Sequence, residues 1–212
     1  MTKRKTKIRL AMTLKQLAIV SLLSVASVGA IFMVSSDVLF NHHELSQEEL
    51  AKRDFINRLV PVVQDVYRDY GVLPSISLSQ AILESDWGRS ELAQKYYNLY
   101  GVKAYGNAPK ANMQTKEFEN GQWMTIDADF RAYNSWRESV VDHALLMVNG
   151  VNWNNHLYQD VITAKDYKQA ATALQQAGYA TDPTYSDKLI ILIEEYQLYQ
   201  YDQLPEDIAI DE

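Results

Sequence analysis

Residues 76–104 read ISLSQAILESDWGRSELAQKYYNLYGVKA. This stretch places one carboxylate, Glu84, near the end of an otherwise apolar helical run and follows it at once with Trp87 and Gly88. Pro74-Ser75 opens the unit, and Ser77 or Ser79 can cap a helix running through Ala81, Ile82 and Leu83. A carboxyl among those side chains and Trp87 is poorly hydrated, so its pKa rises and it stays protonated nearer neutrality. A general acid for glycosidic cleavage is prepared in that way. The plainer alternative is a solvated or capping glutamate, as most helical glutamates are.

On either side the pattern is mostly helical. Ser46 and Glu49 form an S-x-x-E capping box, and Phe55, Leu59, Val62, Val63, Val66 and Tyr70 keep helical spacing up to Gly71. A further turn or two runs from Ser90 to Tyr97. TKEFE, then Asn120-Gly121, then QWMTI signals a hairpin, with Phe118 facing Trp123 and Glu117 facing Met124. Ser135 and Glu138 open another helix that Gly150 can close, and residues 165–177 form one that ends at Gly178. Asp182-Pro183 supplies a cap and first-turn proline for a last helix through Tyr196. The expected class is α+β, mostly helical, with a small hairpin lobe and a cleft between lobes.

The chain has 212 residues, 47% of them hydrophobic, and no cysteine, so an ordinary core must hold it without disulfides. Lys3, Arg4, Lys5, Lys7, Arg9 and Lys15 all precede the first acid, Asp37. Removing those six from the 20 basic residues leaves 14 against 27 acids, about −13 over residues 37–212. Such a body does not bind nucleic acid through bulk charge. Between the basic head and Asp37, the run from Leu17 to Val34 is apolar or small and just long enough to span a bilayer. Basic residues before it place the N-terminus inside and the body outside. Val28-Gly29-Ala30 offers a signal-cleavage site, but the apolar run continues past it, which favours an uncleaved anchor over a secreted form. The expected division is a basic cytoplasmic head (1–15), a transmembrane anchor or signal segment (16–36), a linker (37–50), a catalytic domain (51–201) and an acidic tail (202–212), with LPEDIAIDE (204–212) expected to be disordered.

Most other chemistries find no residues here. The histidines His42, His43, His143 and His156 form no ligand pattern, and His42-His43 reads as a solvated pair in the linker. No G-x-S-x-G elbow, P-loop or dinucleotide fingerprint occurs, and a cysteine nucleophile is impossible. A Ser–His–Asp triad stays open without an elbow to support it, and the better-supported chemistry is that of carboxylates.

Four stretches, SQAILESDWGRSELA, NLYGVKA, FRAYNSWRESVVDHALLM and GYATDPTYSDKL, together resemble the glucosaminidase domain of bacterial peptidoglycan hydrolases, glycoside hydrolase family 73. The resemblance runs from about Phe55 to Tyr199 and implies a goose-type lysozyme-like fold with two lobes. It implies an endo-β-N-acetylglucosaminidase that cuts the β-1,4 bond between N-acetylglucosamine and N-acetylmuramic acid, with glycan strands as partner and no metal or organic cofactor required. Glu84 matches the family's catalytic acid. Glu117, in Thr115-Lys116-Glu117, matches an assisting acid on the hairpin, with Glu119 as its rival. Tyr179 matches a tyrosine of catalysis or substrate positioning, and Tyr185 lies in the same element. Asn98 and Tyr100 fall in the family's N-L-F-G-I-K element, with Tyr100 replacing the usual Phe and still able to stack on a sugar. Trp87 and Trp123 are further sugar platforms, with a core role equally open for Trp87. Asp142-His143 matches a pair expected to make helix-to-helix hydrogen bonds. A muramidase or lytic transglycosylase of related fold, or a catalytically silent wall-binding or division scaffold, are the alternative readings.

Overall fold

The computed structural model describes residues 45–119 and 122–204, and the side chains of those residues outside 116–123. The expected anchor, His42, His43 and the Asn120-Gly121 turn lie outside the described residues. Among the described residues no helix is long and apolar enough to cross a membrane. The chain divides between Ser46 and Gln47, and the elements below all belong to the second unit.

In chain order these are α1 (Gln47–Tyr70), α2 (Pro74–Ser85), α3 (Glu91–Tyr96), β1 (Lys110–Glu119), β2 (Gln122–Arg131), α4 (Trp136–Asn149), α5 (Gln159–Ile162), α6 (Tyr167–Gln176), α7 (Tyr185–Glu195) and a 3₁₀ turn (Leu198–Asp202). The result is the mostly helical α+β arrangement anticipated from the sequence. Neither the short α5 nor the 3₁₀ turn was anticipated.

The core is organised around α2, which packs against α1, α6, α7 and the 3₁₀ turn. Every residue from Pro74 to Ile82 is buried, the polar Ser75, Ser77, Ser79 and Gln80 included. A helix enclosed on all sides needs small residues to admit its neighbours, and its polar side chains need internal partners. Ser79 Oγ accordingly donates to the Ile76 carbonyl at 3.0 Å. The cap differs from expectation. The helix begins at Pro74, so Ser77 and Ser79 are interior, and the first turn is satisfied from far along the chain. Asp202 accepts from the Ser75 amide and the Ser75 hydroxyl, both at 2.7 Å. The presumed acidic tail is thus structured at its start, with Leu204 also buried.

The other end of α2 is stopped abruptly. Asp86, Trp87 and Gly88 take φ values of 50°, 61° and 72°, three left-handed residues in succession, two of which pay a steric cost that glycine avoids. Ser85 Oγ accepts from the Gly88 amide at 2.7 Å and locks the turn. Gly88 lies against Phe55 and Trp136, whose rings meet edge-on with centroids 5.4 Å apart.

The local signals for the other helices hold. Ser90 and Ser135 cap α3 and α4 by accepting from Ala93 N and Glu138 N, each at 3.2 Å. Gly150 and Gly178 follow their helices with φ of 62° and 71°. Asp182 is not the N-cap of α7, which starts at Tyr185. It accepts from Thr184 N at 2.8 Å and pairs with Lys188, contacts that hold its carboxyl at about 2.

The strands β1 and β2 form an antiparallel pair with Glu117 opposite Met124 and Phe118 opposite Trp123, the register read from the sequence. Two strands alone are marginal, and this pair is anchored at its base. Ala111 and Phe130 are buried, Ala104 N donates to Asp129 O at 2.8 Å, and Arg131 N donates to Val102 O at 2.9 Å.

The Gly88 turn yields a stability prediction. A Cβ there would lie 2.7 Å from Phe55 Cε2 and 3.0 Å from Trp136 Cζ2, at a φ that disfavours side chains. Gly88→Ala is expected to cost about 2–4 kcal/mol in urea denaturation; an unchanged midpoint would show that the turn tolerates a side chain.

Candidate active site

Glu84 stands on the last turn of α2, where the buried helix reaches the surface. Its Oε1 accepts from the Tyr185 hydroxyl at 2.8 Å, and the Tyr185 oxygen accepts from the Gln80 side-chain amide at 3.0 Å. A phenol has one hydrogen. With its oxygen taken up by Gln80, that hydrogen is aimed at Glu84. Gln80 and Glu84 are four residues apart and share a helix face, and Tyr185 reaches them from the first turn of α7.

Glu84 is exposed by surface area, yet protein crowds its carboxyl closely. The side chain keeps access to solvent while the protein packed around its carboxyl takes away part of its hydration. Lost hydration raises its pKa above the ordinary glutamate value, opposed by the Tyr185 hydrogen bond and by the charge of Lys188. Access to solvent keeps the effect below that of full burial. The partial negative charge at the C-terminal end of α2 also favours the protonated form.

An aromatic wall adjoins this acid. Tyr179 stacks on Tyr185 with centroids 5.7 Å apart, and meets His143 edge-on at 5.8 Å and Tyr158 edge-on at 6.0 Å. Burial and the nearby Glu84 carboxylate push the Tyr179 and Tyr185 hydroxyls well above the ordinary phenol range, so both remain neutral donors. Burial lowers His143 to about 3, which leaves its ring uncharged.

The structure brings Glu84, Tyr179 and Tyr185 together and places other candidates elsewhere. Asn98 is buried and fully engaged. Its amide donates to Val102 O at 3.0 Å and Arg131 O at 2.9 Å, while its oxygen accepts from Tyr100 N at 3.3 Å and Val102 N at 3.1 Å. No hydrogen-bonding capacity remains for a sugar, so Asn98 fastens the loop to the base of the hairpin. Tyr100 is only 3% exposed, and one of its faces is covered by His143 at 3.9 Å, so its ring offers no sugar platform. His143 does not make the expected helix-to-helix hydrogen bond; neither ring nitrogen has a partner among the described residues. Asp142 instead accepts from Arg131 at 2.5 Å and from the Tyr133 hydroxyl at 2.7 Å, tying the exit of β2 to α4.

Trp87 takes a packing role, edge-on to Phe55 at 6.1 Å and to Tyr196 at 4.7 Å. It also lines a groove of about 540 Å³ with Phe55, Arg58, Tyr97 and Trp136. Glu84, Tyr179 and Tyr185 are not part of that groove, so the chemistry is located by the acid and its partners rather than by this concavity. Glu117 and Trp123 lie on β1 and β2, and only their strand positions are described. Among the described residues no three His, Cys, Asp or Glu side chains are grouped to hold a metal ion.

Sequence reasoning missed Gln80. A glutamine among apolar residues four positions before the acid is a signal that could have been read, since a buried amide needs a partner.

The comparisons with known proteins agree with this geometry. The glucosaminidase family model, described as mannosyl-glycoprotein endo-beta-N-acetylglucosaminidase, matches residues 60–198. The chain is 45% identical over 193 residues to the exo-glucosaminidase LytG of Bacillus subtilis, covering 90% of this chain and 68% of LytG. It is 36% identical over 151 residues to a probable N-acetylmuramidase of Lactococcus lactis, covering 70% of this chain but 34% of that protein. The catalytic domain of the autolysin Auto from Listeria monocytogenes superposes with a TM-score of 0.67 at 37% identity, over 80% of this chain and 96% of that domain. With an acid on the last turn of a buried helix and a family match over more than half of its length, the chain belongs to the glucosaminidase family of glycoside hydrolases.

Proposed function

We propose that this chain is a peptidoglycan hydrolase that cleaves the β-1,4 bond following N-acetylglucosamine within glycan strands, with Glu84 as general acid. The observation that carries the reading is the Glu84 carboxyl itself, hydrogen-bonded to Tyr185, accessible to solvent and biased toward its protonated form. Glu84 donates its proton to the leaving glycosidic oxygen as the bond breaks. Tyr179, held neutral among aromatic rings, donates a hydrogen bond to the sugar on the non-reducing side, with the 2-acetamido group as its natural acceptor. Glu117 on β1 stabilises the positive charge that develops on that sugar or positions water. Two carboxyls about 5 Å apart support a covalent intermediate, and about 6.5–9.5 Å a base-activated water. A hairpin acid farther away leaves the acetamido oxygen as the internal nucleophile.

The basic head followed by the apolar run from Leu17 to Val34 supports a body held at the outer face of the membrane, against the wall it cleaves. LytG is named an exo-enzyme and the Lactococcus protein a muramidase. The side of cleavage is therefore tested on the reduced ends of the products, and the endo reading on whether fragments longer than a disaccharide appear early in the digestion. Digestion of purified sacculi followed by borohydride reduction is expected to yield glucosaminitol ends. Muramitol ends would identify a muramidase, and anhydro-muramic ends a transglycosylase.

Glu84→Gln is expected to lower turnover by about 10²–10⁴-fold with an unchanged melting temperature; full activity in that variant would remove Glu84 from catalysis. Tyr185→Phe tests the partner of the acid. The lost hydrogen bond had stabilised the carboxylate, so the Glu84 pKa rises further and the protonated acid persists to higher pH. The alkaline limb of the kcat/KM profile is expected to move upward. A limb that stays in place would show that Tyr185 does not tune the acid.

A further inference from the structure

The loop joining α4 to α5, residues 150–158, reads GVNWNNHLY. Its conformation is closely fixed. Gly150 has a φ of +62°, and a Cβ there would lie 2.4 Å from the Asn154 carbonyl oxygen. Val151 N donates to Asn154 O at 3.0 Å, Asn154 N donates back to Val151 O at 2.9 Å, and Asn154 Oδ1 accepts from His156 N at 3.0 Å. At the tip of this tied turn Trp153 is 77% exposed.

Single exposed apolar residues are ordinary, but three features set this one apart. An indole on a rigid turn loses little freedom when it binds. The loop carries no Asp, Glu, Lys or Arg in a body of strongly negative charge, and the exposed Asn152, Asn155 and His156 flank the indole with neutral hydrogen-bonding groups. The loop also runs into the candidate active site. Its last residue, Tyr158, is buried and meets Tyr179 edge-on at 6.0 Å, and Tyr179 stacks on the Tyr185 that holds Glu84. The five residue-to-residue steps from Trp153 to Tyr158 span at most about 18 Å.

We propose that Trp153 is a platform for a pyranose ring of the glycan strand, in a subsite beyond the sugars flanking the cleaved bond. A pyranose presents a face of C–H groups that an indole covers, with hydroxyl and acetamido groups at its rim for the neighbouring amides. Neutral surroundings suit a neutral sugar. An anionic lipid surface would call for lysine or arginine beside the tryptophan, and the loop has neither. The proposal rests on the glucosaminidase reading and deepens it: the enzyme grips its strand away from the reacting bond and favours long strands over short ones.

The test uses the full chain carrying Glu84→Gln, which binds without turnover, with soluble N-acetylglucosamine oligomers titrated by calorimetry. Adding Trp153→Ala is expected to weaken binding of the hexamer about tenfold and leave the dimer unchanged, while Trp153→Tyr recovers most of the loss. Unchanged hexamer affinity would overturn the proposal, as would an equal loss on dimer and hexamer, or a loss confined to vesicles of anionic phospholipid. Because the readout is binding, its failure is distinct from failure of the cleavage assignment, which the reduced-end analysis reports.

Discussion

A helix enclosed by protein on every side can meet solvent only at its ends, and the rest of this structure follows from that constraint on α2. Its length brings small and apolar residues into the core, and its last turn delivers Glu84 to the surface with part of its hydration already removed. The left-handed run from Asp86 to Gly88 stops the helix before the acid can be carried past the opening. Backbone strain in two non-glycine residues is therefore spent directly beside the candidate proton donor, where a less sharp turn would let α2 continue.

Around Glu84 the protein has removed charge rather than arranged it. His143 is neutral, Tyr179 and Tyr185 are neutral phenols, and Lys188, already paired with Asp182, is the cation that lowers the acid's pKa. The acid is thus adjusted by hydration and one directed hydrogen bond. That hydrogen bond has its direction because Gln80 occupies the acceptor side of Tyr185.

What was legible in the sequence was local. Ser90, Ser135, Gly150 and Gly178 act within a turn of where they stand, and the strand register follows from a two-residue connection. The partly dehydrated setting of Glu84 was legible because an acid in an apolar run is a chemical anomaly at short range. Features that depend on distant partners were not. The cap of α2 comes from Asp202, and Asp86 and Trp87 are left-handed without being glycine. Asn98 and Tyr100 sit in a motif that suggests contact with sugar, yet burial and saturated hydrogen bonding assign them to the scaffold. Trp153 follows no period and was passed over, because exposure on a fixed turn is a property of three-dimensional packing.

The pairing of Ser75 with Asp202 closes a loop of 127 residues. A chain made from its N-terminus must therefore run almost to the end of the folded body before the first turn of α2 has its partner. Contacts of such sequence separation are entropically late in folding. The helix that carries the acid waits on that distant residue, so a chain cut before Asp202 would lose the cap of α2 without losing any residue of the site.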